Sequence, residues 1–429
     1  MPSQEEIQGM TAMLKERGII AFLQEYVVNK RVPLQRLLLA FGVALAPETA
    51  ELDEIVHLRL LKAALTKILR KRDKLPDYST VEDVVALLRK STRIMVLTGA
   101  GISVSCGIPD FRSRHGIYAM LADKPELQLD DPQQMFDIEY FKDNPAIFFS
   151  FASHIYPSNF KPSPCHRFIK LLEDKEKLLR NYTQNIDTLE HAAGVRKVLQ
   201  CHGSFATATC VQCGMHVLGD TIKDDILAQR IPYCQSPTCA APLTTTPPAI
   251  KKKKKPKNAK PWEVEEDEDD AMPQITLAPG VMKPDITFFG EKLNDDFDRL
   301  LFQDREHVDL LLIVGTSLAV APVADVLAYI PHSIPQVLIN KTPVSHANPD
   351  IMLLGDADTI VQHLCEQLGW SLPGADSRKR SAAAADPERV SNTHVWLFDG
   401  AEGGRYVKNL QEGLDPGRVQ ANGKRLRIV

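Results

Sequence analysis

Cysteines and long apolar runs are both scarce in this chain of 429 residues, which contains only eight cysteines. That number is too small for the disulfide framework typical of compact secreted proteins. The longest apolar runs, such as Leu310–Val314, fall far short of the roughly 20 residues that span a bilayer. The N-terminus has neither the basic start nor the apolar core of a signal peptide. We therefore expect a soluble intracellular protein.

A basic excess is also missing, because 51 Lys and Arg residues are balanced by 55 Asp and Glu residues for a net charge of −4. This balance argues against a general affinity for nucleic acid and leaves only a local patch for such a contact. Hydrophobic residues make up 44% and charged residues 25%, as in ordinary globular proteins. The length allows two or three domains at one per about 150 residues.

The apolar pattern divides the chain into segments. Apolar residues recur at helical spacing within the first 90 residues, and a capping box at Ser79–Glu82 precedes the last predicted helix. From Arg93 onward, short apolar runs alternate with helix-like segments, which predicts an α/β, Rossmann-like fold with a mostly parallel sheet. The predicted divisions are a helical domain at 1–90, the α/β domain at 91–370 with an inserted module at about 203–280, a linker at 371–392, a β-hairpin at 393–412 and a tail at 413–429.

A low-complexity stretch lies inside the inserted module, at about residues 245–275. Residues 251–260 hold seven lysines, and residues 263–270 hold seven acidic residues. Because the apolar content is too low to form a core, we predict a disordered insertion. The run Lys251–Lys257 has the composition of a nuclear-localisation signal, and its alternative is a merely solvated block of charge.

Four of the cysteines form two close pairs. Two residues separate Cys210 from Cys213, four separate Cys234 from Cys239, and twenty lie between the pairs. Such spacing predicts a tetrahedral zinc site with four thiolate ligands. Four protein ligands leave no position for a reacting water, so we predict one structural zinc ion per chain.

The loop after the first predicted strand, Gly99–Ser103, is a dinucleotide-type turn. Its glycines let the backbone approach a pyrophosphate, and the N-terminus of a following helix can face the negative charge. The third glycine of the usual fingerprint is absent, so a plain tight turn is the alternative. The continuation Cys106–Ser113 suits a site that splits a nicotinamide–ribose bond, because the leaving ring and the ribose cation both need to be held.

Polar loops follow four further predicted strands, at the ends where α/β sites form. Thr183–Asp187 presents two amides and a carboxylate. His202 lies before a glycine, and among converging polar loops it favours general-base duty, although a lone histidine is usually structural. Gly315–Ser317 and Asn340–Lys341 suit ribose and adenine contacts, with ordinary turn chemistry as their alternative.

Together these motifs resemble the sirtuins, the silent-information-regulator family of NAD-dependent protein deacylases, from about Leu14 to Trp370. Met282–Glu291 is part of the resemblance. The helical preamble and the long insert look most like the nuclear class I members, particularly the fungal silencing deacetylases. Two departures are the four-residue spacing of the second cysteine pair and Lys341, where arginine is frequent. Neither changes the expected activity.

The resemblance implies a role for each residue. His202, Asn185 and Asp187 would be catalytic, and the cysteines would bind zinc. NAD, a consumed co-substrate, would be held by Gly99, Ala100, Gly101, Ser103, Ile108, Pro109, Asp110, Phe111, Arg112, Tyr118, Gln184, Asn185, Ile186, Asp187, Gly315, Thr316, Ser317, Asn340, Lys341, Thr342 and Ala357. The peptide would pair with Thr287, Phe288, Phe289, Gly290 and Glu291, and Phe288 and Phe289 would lie near the acetyl-lysine tunnel.

The resemblance further implies deacetylation of histone tails in transcriptional silencing in the nucleus. The acetyl oxygen would trap C1′ of the ribose as nicotinamide leaves, and His202 would then take a proton from the ribose hydroxyls. The products would be lysine, nicotinamide and O-acetyl-ADP-ribose. Chromatin or repressor subunits would bind through the N-terminal helical domain, with no sequence-specific DNA contact and no membrane.

Three alternatives to this function stay open. The first is an NAD-binding chromatin scaffold, against which the intact Asn185, Asp187 and His202 argue. The second is a mono-ADP-ribosyltransferase with weak deacetylase activity. The third is a zinc-ribbon DNA binder, but the module lacks interleaved aromatic and basic residues.

The C-terminal segment contains a strand-like run in which Val395 and Leu397 alternate with Trp396 and Phe398. Glycines precede a second apolar pair, Tyr406-Val407, so the pattern predicts a β-hairpin. An isolated hairpin is marginal in water, and we expect residues 393–410 to add strands to an exposed edge of the NAD domain. The segment also resembles the short C-terminal activating element of the animal nuclear sirtuins, and its alternative is a sticky disordered tail.

Overall fold

The computed structural model describes residues 3–45, 53–111, 116–122, 129–157, 160–237, 239, 280–292, 296–374 and 386–414. Outside these residues lie the charged insertion at 245–275 with its predicted localisation run, residues 375–385 of the linker, the tail after residue 414 and Arg112. The chain forms two compact units. The large unit comprises Met1–Ile117, Pro157–Gly203 and Lys292–Val429, and the small unit comprises Tyr118–Tyr156 and Ser204–Glu291.

Helices make up the start of the large unit and flank its sheet. In chain order, the α-helices of the described residues are α1 (Gln4–Leu23), α2 (Leu34–Ala40), α3 (Glu54–Arg70), α4 (Val81–Lys90), α5 (Ile117–Ala122), α6 (Ile138–Asp143), α7 (Pro145–Ala152), α8 (Pro164–Asp174), α9 (Leu189–Ala192), α10 (Lys223–Leu227), α11 (Asp296–Asp304), α12 (Val326–Tyr329), α13 (Ala357–Leu368) and α14 (Gly404–Gln411). A π-helical segment, Gln24–Asn29, continues α1.

The N-terminal helices pack around a core of their own that includes Leu14, Phe22, Leu38 and Leu61. The predicted capping box is displaced by one residue. Thr80 caps α4 and Asp83 completes the box, because the hydroxyl that reaches the third helical N–H belongs to Thr80.

The main sheet of the large unit has eight strands in the order β10-β11-β9-β8-β7-β1-β2-β3. Its strands are β1 (Ile94–Thr98), β2 (Leu178–Thr183), β3 (Val198–Gln200), β7 (Leu310–Val314), β8 (Gln336–Asn340), β9 (Ile351–Leu354), β10 (Glu388–Arg389) and β11 (Val395–Leu397). All neighbours pair in parallel except β10 with β11. The central strands are buried throughout, as expected for a parallel sheet covered on both faces.

Two hydrophobic cores lie on opposite faces of this sheet. One joins alternate strand residues to α4, α8 and α13, and the other joins the remaining strand residues to α11, α12 and α14. The predicted α/β, Rossmann-like fold class is therefore confirmed. No helix among the described residues has the length and apolar character needed to cross a membrane.

The N-terminal helices are tied to the sheet by buried arginines. Arg72, directly after α3, forms hydrogen bonds of 2.7 and 3.0 Å with the carboxylate of Asp350, at the start of β9. Both side chains are almost fully buried. Arg305 donates to the backbone carbonyls of Glu16 and Arg17. The helices and the sheet therefore belong to one packed body.

The C-terminal segment differs in part from its prediction. Val395–Leu397 is the second strand of the sheet and lies parallel to β9. Its hairpin partner is the upstream pair Glu388–Arg389, which forms the edge. The predicted second strand at Tyr406-Val407 is wrong, since these residues lie in α14. The spacing of Tyr406, Val407 and Leu410 places all three against one core, which a helix allows and an alternating strand does not.

The small unit contains a second sheet, in the order β5-β4-β6, formed by β4 (Gly203–Cys210), β5 (His216–Leu218) and β6 (Met282–Ile286). Beside it lies a group of aromatic side chains in edge-to-face contact, with ring centroids 5.2 to 6.2 Å apart. Phe136, Phe141, Phe148, Phe149 and Phe288 form this group.

Candidate active site

The loops after β1, β2, β7 and β8 meet at one edge of the sheet because these strands are parallel neighbours. Backbone hydrogen bonds join them directly. The N–H of Gly101 donates to the carbonyl of Gly315 at 2.8 Å, the N–H of Gln184 to Thr98 at 2.9 Å, and the N–H of Gly315 to Ile339 at 2.9 Å. Most of the polar residues singled out in the sequence therefore lie in one rigid set of loops.

The glycines of the first loop are required by the neighbouring loop as well as by any ligand. A Cβ added at Gly101 would lie 2.7 Å from the Cα of Gly315, and one added at Gly99 would lie 2.7 Å from the Cβ of Thr316. Gly315 has φ +62°, and its own Cβ would meet the N of Ile102 at 2.6 Å. The two loops can touch only because these positions lack side chains.

The α-helix expected directly after the first glycine loop is not found at Ala100–Cys106. Two single 3₁₀ turns, Ala100–Ile102 and Val104–Cys106, follow Gly99 instead. Gly107 then adopts a left-handed conformation, which redirects the chain toward Ile108. The loop therefore offers turn N–H groups near the sheet edge rather than the dipole of a long helix.

A chain of hydrogen bonds joins Ser103, Asn185 and Asp187. The hydroxyl of Ser103 donates to Oδ2 of Asp187 at 2.6 Å, and Nδ2 of Asn185 donates to Oγ of Ser103 at 3.3 Å. Asn185 also donates to the carbonyl of Gly99 at 3.2 Å, and Oδ1 of Asp187 accepts the N–H of Leu189 at 3.0 Å. All three side chains are buried, so their orientation is fixed before any ligand binds.

Burial raises the pKa of Asp187 above its ordinary value, while the hydrogen bonds from Ser103 and from the N–H of Leu189 oppose that shift. These two donors favour the charged form of the carboxylate. The loop therefore supplies donors for the carboxylate of Asp187 in a site that is largely closed to water.

Gln184 reaches across from β2 to the loop after β7. Its Nε2 donates to Oγ1 of Thr316 at 2.7 Å, and the same oxygen accepts the N–H of Leu318 at 3.1 Å. Ser317, the next residue of the set, is exposed. A polar ligand lying over this edge would meet groups from both loops.

His202 lies after β3 and is half-buried. Its Nδ1 lies 3.1 Å from the carbonyl oxygen of Gln184, and its Nε2 lies 3.2 Å from the carbonyl oxygen of Ala321. Two carbonyl partners require two N–H donors, which only the protonated imidazole has. His202 can accept a proton at Nε2 only when the contact with Ala321 is released.

Among the residues expected to hold NAD, Asn340, Lys341 and Thr342 lie at the end of β8, and Ala357 lies after β9. Nδ2 of Asn340 donates to the carbonyl of Thr342 at 2.7 Å. The ammonium of Lys341 lies 3.7 Å from Asp356 and 3.4 Å from Glu402, so this cation is shared between the sheet edge and the C-terminal segment. Ala357 begins α13, directly beyond β9.

The remaining expected ligand residues are divided between the two units. Ile108, Pro109, Asp110, Phe111 and Ile186 lie in the large unit, where Ile108 and Ile186 are buried. The carbonyl of Asp110 accepts the N–H of Ile117 at 2.7 Å, which closes this loop. Tyr118 begins the small unit, and Arg112 is not among the described residues.

The expected peptide-binding residues Thr287–Glu291 follow β6 in the small unit. Phe288 is buried among the aromatic group described above, whereas Phe289 is 41% exposed. Phe289 exchanges backbone hydrogen bonds with Phe136 and Ile138. The carboxylate of Glu291 accepts from the N–H of Phe288 at 2.7 Å and pairs with Lys283 at 2.9 Å. Phe288 therefore anchors this segment, and Phe289 is the ring available to a ligand.

The four cysteines converge in the small unit, and their sulfur atoms all lie within 4.8 Å of one another. Sγ of Cys210 lies 3.5 Å from Sγ of Cys239, and Sγ of Cys213 lies 3.7 Å from Sγ of Cys234. A tetrahedral zinc ion with bonds of about 2.3 Å would place its sulfur ligands about 3.8 Å apart. The donors fit one structural zinc ion, which would supply the cross-link that this unit otherwise lacks.

Sequence reasoning missed a layer of buried polar side chains behind the loops. Glu190 and His166 are fully buried, as are Thr98 and Asn181 within the strands. The hydroxyl of Thr98 donates to Oδ1 of Asn181 at 3.0 Å. One signal in the sequence could have indicated this layer, because Asn181 is a polar amide within β2, the strand next to β1.

Two known protein families match adjacent segments of this chain. The sequence profile of the Sir2 family matches residues 99–322, and that of a protein family of unknown function, DUF592, matches residues 47–98. The NAD-dependent histone deacetylase sirtuin-1 of Drosophila melanogaster is 46% identical over 353 residues, covering 81% of this chain and 40% of the relative. The NAD-dependent protein deacetylase sirtuin-1 of Homo sapiens is 47% identical over 328 residues, covering 76% and 39%.

A fungal relative is matched over more of its length. The NAD-dependent histone deacetylase sir2 of Schizosaccharomyces pombe is 42% identical over 371 residues, which cover 85% of this chain and 76% of the relative. By contrast, the alignment spans only about two fifths of the two animal relatives.

Proposed function

The chain belongs to the Sir2 family, and on that premise we propose that it is an NAD-dependent protein-lysine deacetylase that acts on acetylated histone tails. The observation that carries the proposal is the single sheet edge that brings the glycine loop, Asn185, Asp187 and His202 together in the large unit. A scaffold that only binds NAD would not need a histidine held by its Nδ1 beside that loop.

Each group has a role that its contacts support. The turn at Gly99–Gly101, packed on Gly315, would receive the phosphates, since its N–H groups are close to the sheet edge. NAD would supply a ribose carbon whose nicotinamide leaving group departs as the acetyl oxygen attacks. Asp187, held as an anion by Ser103, would stabilise the positive charge that develops on the ribose, and Asn185 would orient that sugar.

His202 would act as the general base. Donation from Nδ1 to the carbonyl of Gln184 leaves Nε2 as the proton acceptor in the neutral ring. Binding of the co-substrate must then move the Ala321 carbonyl away from Nε2. The proton that His202 takes comes from a ribose hydroxyl, whose oxygen can then attack the acetyl carbon. The lysine amine would leave as the free side chain, and a water molecule would add to the acyl carbon to complete O-acetyl-ADP-ribose.

The cellular context is part of the same proposal. A histone substrate would be met in the nucleus, and the lysine run Lys251–Lys257 supports nuclear import. The N-terminal segment exposes large apolar side chains, among them Ile20, Val28 and Ile55. These side chains support docking of chromatin or repressor subunits there. Acetylated proteins other than histones would share the same backbone-pairing segment, Thr287–Glu291.

The test combines a peptide assay with a base variant. An acetylated histone-tail peptide is incubated with the protein, with and without NAD, and the peptide mass is followed. We expect NAD-dependent loss of the acetyl group, and a loss of about 10²- to 10⁴-fold in rate for His202→Ala. The exposed histidine variant His307→Ala is the matched control.

Three results would contradict the proposal. A heavier, ADP-ribosylated product would favour a transferase, and an unchanged peptide despite NAD binding would favour a scaffold. Turnover like that of the wild type in His202→Ala would remove this residue from the mechanism.

A further inference from the structure

Behind the loop that carries Asn185 lies a buried cluster of three titratable side chains, His166, Asp187 and Glu190. One nitrogen or oxygen atom of each lies within 4.8 Å of the others. His166 and Glu190 have no exposed surface, and Asp187 has 4%. No described protein group forms a hydrogen bond with Nε2 of His166 or with Oε2 of Glu190. The proposed mechanism uses only Asp187.

The contacts of His166 determine which of its nitrogens carries the proton. The backbone N–H of Ser163 donates to Nδ1 at 3.2 Å, and the hydroxyl of Ser163 lies 2.8 Å from the same atom. Nδ1 is therefore an acceptor, and the neutral ring carries its proton on Nε2. A ring in this form presents an N–H to the carboxyl groups. It cannot offer a lone pair at Nε2, which argues against a metal ion in the cluster.

Two carboxyl groups this close and this deeply buried cannot both be ionised without a counter-charge. Asp187 accepts from Ser103 and from the N–H of Leu189, so the charged form is stabilised there. Oε1 of Glu190 lies 3.5 Å from Oγ1 of Thr98, whose proton has a nearer acceptor in Asn181 at 3.0 Å. Hydrogen bonds from the Thr183 side chain and the N–H of Glu190 favour the charged form of Glu190, but full burial and the neighbouring Asp187 outweigh them. The proton of the pair therefore resides on Glu190.

We propose that Glu190, together with His166, is a positioning residue that works as a neutral acid, so that the single negative charge of the cluster stays on Asp187 against Ser103. Ionised Glu190 would repel Asp187 and loosen its bond to Ser103, which also holds Asn185. The role rests on the proposed deacetylase function, because Asp187 and Asn185 are the groups it positions for the co-substrate.

The electrostatics agree with the geometry. Burial and the neighbouring Asp187 raise the pKa of Glu190 to about 7. Burial and Arg167 lower the pKa of His166 to about 3, which keeps that ring neutral. The titratable groups facing Glu190 are Asp187 from its own loop, His166 from α8 and the thiol of Cys201 after β3, whose pKa burial raises. None of them is a cation at neutral pH.

The test compares Glu190→Gln, which is an isosteric neutral group, with Glu190→Ala, using the exposed variant Glu366→Gln as control. In the infrared spectrum of the wild type we expect the carbonyl stretch of a buried carboxylic acid, and its loss in E190Q but not in E366Q. We expect E190A to reduce kcat/KM for NAD by about 10- to 100-fold, since displaced catalytic groups have effects of that size, and E190Q to recover most of that loss.

The pH dependence of stability gives an independent measure of the protonation of Glu190. A buried acid whose pKa is raised from its ordinary value of 4.5 contributes stability below that value and loses it as the pH rises through about 7. The melting temperature of E190Q should therefore rise relative to that of the wild type as the pH increases from about 5 to about 8. E366Q should show no such gain.

The outcomes separate this inference from the function it rests on. An E190Q variant no more active than E190A, an infrared band that survives in E190Q, or a melting difference independent of pH would each overturn it. A wild-type protein that deacetylates no peptide would refute the proposed function, while the infrared and melting measurements would still decide the protonation of Glu190.

Discussion

Gly315 and Gly101 provide the sharpest test of how the two loops of the candidate site are packed. Alanine at position 315 meets two penalties, a left-handed φ of +62° and a Cβ only 2.6 Å from the N of Ile102. The first costs about 1–2 kcal/mol, and forcing an extra group into packed backbone costs about 1–3 kcal/mol. We expect Gly315→Ala to lower the free energy of unfolding by about 2–5 kcal/mol.

Three further alanine variants separate these terms. Gly101→Ala carries only the clash, 2.7 Å from the Cα of Gly315, whereas Gly369→Ala carries only the conformational penalty, at φ +67° with nothing within 4 Å. Gly9→Ala, within α1 and with nothing within 4 Å, carries neither and should stabilise by about 0.5–1 kcal/mol. Thermal unfolding of the full chain, followed by circular dichroism, gives the ranking.

The same variants report on function. Displacement of either loop by a few tenths of an ångström should weaken NAD binding in Gly101→Ala and Gly315→Ala, which isothermal titration measures, and leave it unchanged in Gly369→Ala and Gly9→Ala. A Gly315→Ala protein that melts like Gly369→Ala and binds NAD like the wild type would refute the reasoning. The loops would then not be packed against each other as described.

Three other changes have definite expected results. Cys210→Ser should remove about one zinc per chain by metal analysis and unfold the small unit, because the metal contributes to its folding free energy; a metal-free, folded and active variant would contradict this. Val395→Ala, at a fully buried strand position, should destabilise by about 2 kcal/mol from two lost methyl groups and the cavity, and an unchanged melting temperature would mean that β11 is not docked on β9. Arg72→Met should destabilise by about 3–5 kcal/mol by leaving the carboxylate of Asp350 buried without its partner, and the double variant with Asp350→Asn should recover part of that loss.

Local sequence patterns were sufficient to predict those features that depend on a single short-range rule. The apolar runs at Ile94–Leu97 and Leu310–Val314 predict parallel strands, because only a strand covered on both faces is apolar at every position. The cysteine spacing likewise predicts a tetrahedral cluster, since short loops place each pair on one ion. The polar residues after these strands could be predicted to meet, because parallel strands end at the same edge.

The sequence by itself therefore determined the fold class, the metal cluster and the edge at which the polar loops converge, because each depends on spacing within a few residues or on burial along one strand. Only the tertiary structure decided that Tyr406 and Val407 form a helix, since a core from distant elements selects which face is buried. It alone decided that Ala321 meets Nε2 of His202, and that His166 and Glu190 lie behind Asp187. The contact of Ala321 with His202 joins residues 119 apart, and His166 lies more than 20 residues from both Asp187 and Glu190. Neither local propensity nor periodicity carries information over such distances.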